Sequence, residues 1–280
     1  MNNQHTRLRK WPRIIRIIAL YLITLIFLFP FYIAIVYSLK TRVETAQSPL
    51  ALPKHIAWEN YSNAIQSSNF FLALKNSLIV TSLTVFLAVF VCSMAAYVIS
   101  RSNNKFYNFF YYLFMSSIML PFQVIMFPLY KTWVDLGILN TLHGLTISLV
   151  GVQVGYFCFL YVGFIKSVPR EMEESAMIDG ASRYRTFFSI IFPLLKPINM
   201  TIIVLSALGA WNDFVVSMVI VQKKAVSTLP LVQFNFFGQY SSEVNMAFAA
   251  IIMSMVPIML FYLIAQKYII GGVTAGAVKG

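Results

Sequence analysis

Charged residues are scarce in this sequence, and acidic ones above all. Asp, Glu, Lys and Arg make up 11% of the 280 residues, only nine residues are acidic, and 59% are hydrophobic. An ordinary soluble domain carries about 25% charged residues. This composition excludes a soluble domain and predicts a protein that lies in a lipid bilayer.

Cysteine and histidine are rare as well, which excludes several kinds of site. Cys92 and Cys158 each lie inside a long apolar run, where a thiol packs as a small hydrophobic residue, so we expect no disulfide framework. The three histidines are isolated in predicted loops: His5, His55 and His143. Without a Cys/His cluster or a nucleophile motif, we expect no metal site, no catalytic residue and no enzyme.

Basic residues outnumber acidic ones, and their distribution indicates an orientation in the membrane. The formal net charge is +12. The bases are spread between apolar runs rather than gathered on one polar surface, which argues against a nucleic-acid partner. Of the 21 Lys and Arg residues, 14 fall in the N-terminal segment, two of the loops and the C-terminal tail. Because cytoplasmic loops are enriched in Lys and Arg, we expect both termini to be cytoplasmic.

Six apolar runs are long enough to cross a bilayer, since a helical span needs roughly 20 residues. They are Ile14–Leu39, Leu74–Ile99, Phe106–Tyr130, Leu145–Ile165, Ile198–Val221 and Met246–Ile269. We therefore predict an all-α membrane protein of about six transmembrane helices, with a cytoplasmic segment 1–13, a transmembrane domain 14–270 and a cytoplasmic tail 271–280. Residues 41–73 are too polar to span and are predicted to fold on the outer face. Kinks or broken turns are expected at Pro30, Pro121, Pro128 and Pro257.

Polarity concentrates in one predicted cytoplasmic loop, residues 166–193, which we call the acidic loop. It holds four of the nine acids: Glu171, Glu173, Glu174 and Asp179. Acids that follow Pro169 suit the first turns of a helix, where they complement the N-terminal dipole. Gly180 can end that helix in the left-handed conformation, and Ser182 can cap a second helix. The apolar side of the second helix would be Phe187, Phe188 and Ile191, before Pro193 leads to the fifth span.

Such a helical hairpin has both charged and apolar faces. One interpretation is that it docks in a groove of another protein. The alternative is an amphipathic segment that lies on the lipid surface. The residues alone leave both open.

Asp213 is the only acid inside a predicted span, and it follows Trp211 and Asn212. A charge at that depth is costly and usually faces a cavity or a partner, so these three residues are candidates for a translocation pathway. The alternative is that Asp213 is a structural hydrogen-bonding group at a helix break or near the outer interface. Both interpretations remain open at this point.

The acidic loop resembles the EAA loop of ABC-importer permeases, whose pattern is Glu-Ala-Ala, three residues, Gly, nine residues and Ile-x-Leu-Pro. Here Glu174-Ser175-Ala176 is followed by Gly180, Ile190 and Phe192-Pro193 at the same spacing. Two positions depart from the pattern, because Ser175 replaces an alanine and Phe192 replaces a leucine. Both changes are compatible with packing.

The resemblance implies that the acidic loop sits in a cleft of an ATPase and couples ATP-driven closure to a rigid-body motion of the permease. The residues that it implies for this coupling are Glu171, Glu174, Ser175, Ala176, Asp179, Gly180, Arg183, Phe187 and Pro193. It also implies that Gly180→Asp or Glu174→Lys would abolish ATPase recruitment or stimulation without affecting membrane insertion.

Motifs along nearly the whole chain resemble the carbohydrate-uptake branch of these permeases, specifically the second permease of maltose-type transporters. They are Phe29-Pro30-Phe31-Tyr32, Ser38-Leu39-Lys40, Trp58-x-Asn60-Tyr61, Asn76-Ser77-Leu78, Ala95-Ala96-Tyr97 before Arg101, Trp211-Asn212-Asp213-Phe214 and the terminal run from Gly272 to Gly280.

The resemblance implies a type I importer in the plasma membrane of a bacterium or archaeon. This chain would pair with a second, homologous permease in a heterodimer surrounded by membrane lipid. Two copies of a cytoplasmic ATPase would bind ATP and magnesium, so that this chain holds no cofactor, and an extracytoplasmic sugar-binding protein would deliver the solute.

The function expected from the resemblance is to form half of a pathway for a carbohydrate, in particular an oligosaccharide. An importer permease for another small polar solute is an alternative. A stand-alone secondary carrier is a second alternative, but it should show ion-coupling acids in its spans or an internal repeat. Only Asp213 qualifies as such an acid, and no repeat is visible.

Overall fold

The computed structural model describes residues 4–237 and 243–277, and it describes side chains in 14–237 and 243–267. Within these residues the chain is helical, without a strand. The α-helices are α1 (Gln4–Ser38), α2 (Arg42–Gln47), α3 (Glu59–Ser68), α4 (Phe70–Arg101), α5 (Lys105–Ile118), α6 (Phe122–Asp135), α7 (Leu142–Ile165), α8 (Glu171–Ile178), α9 (Arg183–Thr186), α10 (Phe192–Leu194), α11 (Lys196–Trp211), α12 (Val215–Ile220), α13 (Leu229–Asn235) and α14 (Val244–Ala277). A π-helical turn, Phe187–Ile191, joins α9 to α10, and a 3₁₀ turn spans Lys224–Val226.

Four helical stretches are long and apolar enough to cross a membrane, and two bent helix pairs raise the number to six if each pair counts as one span. The four stretches are Ile14–Ser38, Phe70–Arg101, Leu142–Ile165 and Val244–Lys267. The prediction of an all-α protein with about six spans is therefore confirmed.

Helices α1 and α14 extend into the two predicted terminal segments. The predicted segment 1–13 is helical from Gln4, and the predicted tail 271–280 is helical as far as Ala277. Residues 1–3 and 278–280 lie outside the described residues.

The third predicted span is broken where Pro121 stands. Helix α5 ends at Ile118, α6 begins at Phe122, and the two helices are bent by 110°. Pro121 has an extended backbone with a ψ of 137° and no N–H to continue the ladder of helical hydrogen bonds. At Pro30, Pro128 and Pro257 the helices continue without a break, so among these four prolines a broken turn occurs at Pro121, and the kinks expected at the other three stay a prediction.

The fifth predicted span, Ile198–Val221, contains a helix break beside Asp213, as one of the two interpretations of that residue expects. Helix α11 ends at Trp211, residues 212–214 are non-helical, and α12 starts at Val215. Before α11, the helical stretch 183–194 is bent by 76° relative to it. Short polar side chains such as those of Asn212 and Asp213 compete with the backbone for hydrogen bonds, which favours a break at this point.

The chain divides into two compact units. Residues 1–70 and 233–255 form one, and residues 71–232 and 256–280 form the other.

In the first unit, asparagine side chains tie the segment after α1 to its surroundings. The Asn60 amide donates to the carbonyls of Ser38 and Lys40 at 2.9 and 2.8 Å. The Asn245 amide donates to the carbonyls of Tyr37 and Lys40, both at 2.8 Å. Residues 41–73 contain α2, α3 and the start of α4, and their location on the outer face stays a prediction.

In the second unit, the core lies where α4 packs on α7. Small residues of α4, among them Ala88, Cys92 and Ala96, are buried together with Phe157 and Tyr161 of α7. Small side chains let two helix backbones approach closely. Cys92 and Cys158 are buried free thiols, as their apolar context predicts.

The close approach of α5 to α7 depends on a glycine. A Cβ atom added to Gly155 would collide with the Ser117 hydroxyl and the Phe114 carbonyl. Any larger residue at this position must therefore push α5 away from α7.

Candidate functional site

The first arm of the acidic loop is helix α8, which the sequence predicts correctly. The first turn of α8 carries Glu171, Glu173 and Glu174, where carboxylates complement the exposed backbone N–H groups. Its end is a Schellman motif: the Ala181 N–H donates to the Ala176 carbonyl at 2.9 Å, and the Gly180 N–H donates to the Met177 carbonyl at 3.1 Å. Gly180 has a φ of +81°, which explains why a glycine stands there.

The second arm begins at Ser182 and contains a π-helical turn. The Ser182 hydroxyl accepts from the Arg185 N–H at 3.3 Å and so caps α9. Within the π turn, the Phe192 N–H donates to the carbonyl of Phe187, five residues earlier. Phe187 and Ile191, the first and last residues of this turn, are both buried.

An ion pair fastens the loop to the end of α4. The Arg101 Nε donates to the Glu173 Oε1 at 2.6 Å, and the Tyr97 hydroxyl donates to Oε2 at 2.9 Å. Arg101 also donates through Nη2 to the Val168 carbonyl at 2.9 Å. The Arg101 and Glu173 side chains are 13% and 7% exposed, so solvent screens their attraction less than at an open surface.

Aromatic contacts make a second connection between α4 and the loop. The rings of Tyr97 and Phe187 lie 5.2 Å apart, and Phe90 stacks on Phe192 with ring centres 5.3 Å apart. Helix α4 therefore holds α8 through Glu173 and the second arm through Phe187 and Phe192.

Sequence reasoning missed this anchor. In the sequence, Glu173 is one of the acids of the loop but not one of the predicted coupling residues, Tyr97 is part of a motif, and Arg101 is also one of the basic residues that indicate the orientation. The sequence does contain a signal for this anchor. Tyr97 and Arg101 are four residues apart, so they lie on one face of α4. Arg101 also stands at the end of a span, where it can pair with a carboxylate of a neighbouring loop.

The outward side of the hairpin combines charge with exposed apolar residues. The exposed fractions of Ile178 and Tyr184 are 86% and 74%. Most of the predicted coupling residues are exposed: Glu171, Glu174, Ser175, Asp179, Gly180, Arg183 and Pro193. Ala176 and Phe187 are instead buried, so they pack against other residues of this chain.

A cavity of about 580 Å³ separates part of the hairpin from α4. Its walls include Tyr97, Arg101, Glu173, Met177 and Tyr184. The hairpin is therefore held at a few points rather than packed over its full length.

Asp213, the candidate for a pathway, lies in the break between α11 and α12. Its carboxylate accepts from the N–H groups of Val216 and Ser217 at 3.3 and 2.8 Å and from the Ser217 hydroxyl at 2.9 Å. Asn212 is exposed and Trp211 is buried. These bonds favour the structural interpretation of Asp213, since they cap α12, while the pathway role stays a prediction.

The described residues hold no group of three or more His, Cys, Asp or Glu side chains arranged to bind a metal ion.

Residues 88–274 match the family described as the inner membrane component of binding-protein-dependent transport systems. This match covers more than half of the chain and includes the whole acidic loop. The chain belongs to this family. The permease is therefore a multi-pass protein of the plasma membrane.

Relatives of similar length are sugar permeases by name. The permease is 35% identical over 257 residues to the probable starch degradation products transport system permease AmyC of Thermoanaerobacterium thermosulfurigenes, covering 92% of this chain and 93% of the relative. It is 36% identical over 253 residues to the melibiose/raffinose/stachyose import permease MelC of Bacillus subtilis, covering 90% and 91%. The multiple sugar-binding transport system permease MsmG of Streptococcus mutans is 37% identical over 261 residues, covering 91% and 93%.

A solved structure shares the fold. A chain of a bacterial ABC transporter involved in the import of the acidic polysaccharide alginate superposes with a TM-score of 0.80 at 21% identity, covering 96% of the permease and 99% of that chain. The permease therefore has the fold of an ABC-importer membrane subunit, as the sequence predicts.

Proposed function

We propose that the permease forms half of the translocation pathway of an ABC importer for oligosaccharides. Three relatives above 30% identity are named for starch degradation products, for melibiose, raffinose and stachyose, and for multiple sugars. These names support a carbohydrate as the solute. The other half of the pathway is a second, homologous permease.

The acidic loop connects this pathway to its energy source, a cytoplasmic ATPase present in two copies. This proposal rests on the difference in exposure between the two sides of the hairpin. Its inner side is fastened through the buried Glu173, whereas Ile178 at its tip is 86% exposed. An apolar tip on an anchored support suits insertion into a groove of a partner.

ATP and magnesium belong to the ATPase, and the solute arrives on an extracytoplasmic sugar-binding protein. The relatives of this chain are named as transport permeases, which supports a role in transport rather than in catalysis. The family is defined by its dependence on a binding protein. A structure similar in fold contains an alginate ABC transporter with its oligosaccharide-bound periplasmic protein.

The docking proposal is tested by placing a charge on the apolar tip. We expect Ile178→Glu to reduce the amount of ATPase that co-purifies with the permease in mild detergent by roughly tenfold or more, because exposed apolar anchors contribute most to such interfaces. Uptake of radiolabelled raffinose or maltotriose by cells should fall in parallel.

The matched control is Ile56→Glu, which places the same charge on an isoleucine that is 54% exposed and far from the loop in sequence. It should leave the amount of co-purified ATPase unchanged. Normal ATPase retention and normal uptake with Ile178→Glu would refute the docking role of the loop.

A further inference from the structure

A second cavity, of about 420 Å³, lies on the other side of Arg101. We call it the basic cavity. It is bounded by the end of α4, the start of α5 and the end of α7. The residues of its wall that matter for its chemistry are Arg101, Asn103, Asn108, Tyr111, Lys166 and Arg170.

Cationic side chains outnumber carboxylates in the wall of the basic cavity, although Arg170 also lines the first cavity together with Glu174. The wall of the basic cavity contains three cationic side chains and no carboxylate. Arg101 is already paired with Glu173. Lys166 and Arg170 form no ion pair with a carboxylate among the described side chains, and the Lys166 ammonium lies 5.8 Å from the centre of the Tyr111 ring. Two positive charges therefore remain available to an anion.

The other polar groups of the wall are also suited to an oxyanion. Asn103 and Asn108 carry amide donors, and Tyr111 carries a hydroxyl donor. A guanidinium, an ammonium and neutral donors around one space are the groups with which proteins bind phosphate.

The position of the cavity at the ends of two predicted spans indicates which anions can reach it. Arg101 is the last residue of α4, and Lys166 follows the last residue of α7. Both helices are long and apolar enough to span the membrane. Since the cavity lies where two spans end, it is at the level of the lipid headgroups, where basic pockets between helices bind anionic lipids.

We propose that the basic cavity is a binding site for a phosphate group, the chemistry shared by an anionic phospholipid headgroup and soluble phosphate. Arg170 immediately precedes α8, and Arg101 holds Glu173 of the same helix. An anion in the cavity would thus lie beside Arg101, which holds Glu173 of the acidic loop, and beside Arg170, which precedes α8. This proposal does not depend on the ATPase-docking role of the loop.

The experiment measures anion binding by the permease purified within its complete transporter. Native mass spectrometry counts retained phosphatidylglycerol against phosphatidylcholine, and equilibrium dialysis with radiolabelled inorganic phosphate measures the soluble anion. We expect the double variant Lys166→Gln/Arg170→Gln to bind phosphatidylglycerol roughly 30-fold more weakly than the wild type. Each basic residue near a lipid surface contributes about 1 kcal/mol to binding, and this variant removes two of them. Phosphatidylcholine, whose headgroup carries its own cation, should be retained weakly by every form.

The control is Lys105→Gln/Lys131→Gln, which removes two exposed cations that do not line the basic cavity. It should bind phosphatidylglycerol as the wild type does, and equal melting temperatures of all forms would show that folding is intact. A loss confined to phosphatidylglycerol supports a lipid as the source, and a loss confined to inorganic phosphate supports a soluble source. Equal affinity of wild type and Lys166→Gln/Arg170→Gln for both anions would overturn the proposal.

Discussion

At the scale of single residues, Gly180 shows how one backbone angle shapes the candidate site. Its φ of +81° lets the chain reverse between the two arms of the hairpin. Apart from its chain neighbours, no residue has an atom within 4 Å of the position that a Cβ would take. Glycine is therefore required by the local backbone conformation and not by crowding from surrounding residues.

We expect Gly180→Ala to weaken the turn without filling any space. A left-handed conformation costs a non-glycine residue about 1–2 kcal/mol. Local opening should therefore become about 5 to 30 times more frequent, and the Gly180 and Ala181 amides, whose bonds close the Schellman motif, should exchange faster by that factor. Hydrogen–deuterium exchange of peptides from the loop measures this.

Gly163→Ala is the matched control, because Gly163 lies in α7 with open space around its Cβ position and without a positive φ. It should leave exchange in the acidic loop unchanged. Identical exchange of the loop in Gly180→Ala and wild type would contradict the role given to the left-handed turn.

At the scale of elements, the main connection is the one between α4 and α8. Glu173 and Arg101 are 72 residues apart in sequence, yet their side chains form the ion pair that attaches the loop to a membrane span. Removing one partner of a buried pair leaves the other charge without compensation, which costs more than the pair itself contributes.

We expect Glu173→Gln to destabilise the permease by about 2–3 kcal/mol, because Arg101 keeps its charge but loses its carboxylate. This corresponds to a melting temperature lower by roughly 4 to 10 °C, measured on the purified protein. Glu174→Gln, one residue away but exposed, should shift it far less.

The double variant Arg101→Gln/Glu173→Gln separates the charge effect from packing. It should be less unstable than the sum of the two single variants, since neither charge is then left alone. Strict additivity would show that the two side chains do not interact energetically.

At the scale of the whole molecule, the predicted orientation in the membrane follows from where the basic residues lie. The 14 Lys and Arg residues that predict cytoplasmic termini include Arg101, Lys166 and Arg170. The predicted orientation places the basic cavity and the acidic loop on the cytoplasmic side, where an ATPase can reach the loop.

Reporter fusions test the orientation. We expect a green fluorescent protein fused after Gly280 to fluoresce, and alkaline phosphatase inserted after Pro53 to be active, because the former folds in the cytoplasm and the latter outside it. Alkaline phosphatase inserted after Asn103 should be inactive and serves as the control. Activity of a phosphatase fused at the C-terminus would reverse the predicted topology.

The sequence by itself determined the features that depend on neighbouring residues. Long apolar runs predict the number of spans because a helix must cover the hydrocarbon thickness. The turn at Gly180 and the cap at Ser182 are also local, since each is set by a backbone angle or by a hydrogen bond to a residue three positions away. These features are present in the structure as predicted.

Only the tertiary structure decided which distant residues meet. The helix breaks at Pro121 and at 212–214 have local causes, whereas the contacts that hold the acidic loop do not. Glu173 was one acid among four in the sequence, and its burial against Arg101 depends on how α4 packs beside the loop. The pairing of charges across 72 residues is a property of that packing, and so is the excess of cationic side chains in the wall of the basic cavity beside it.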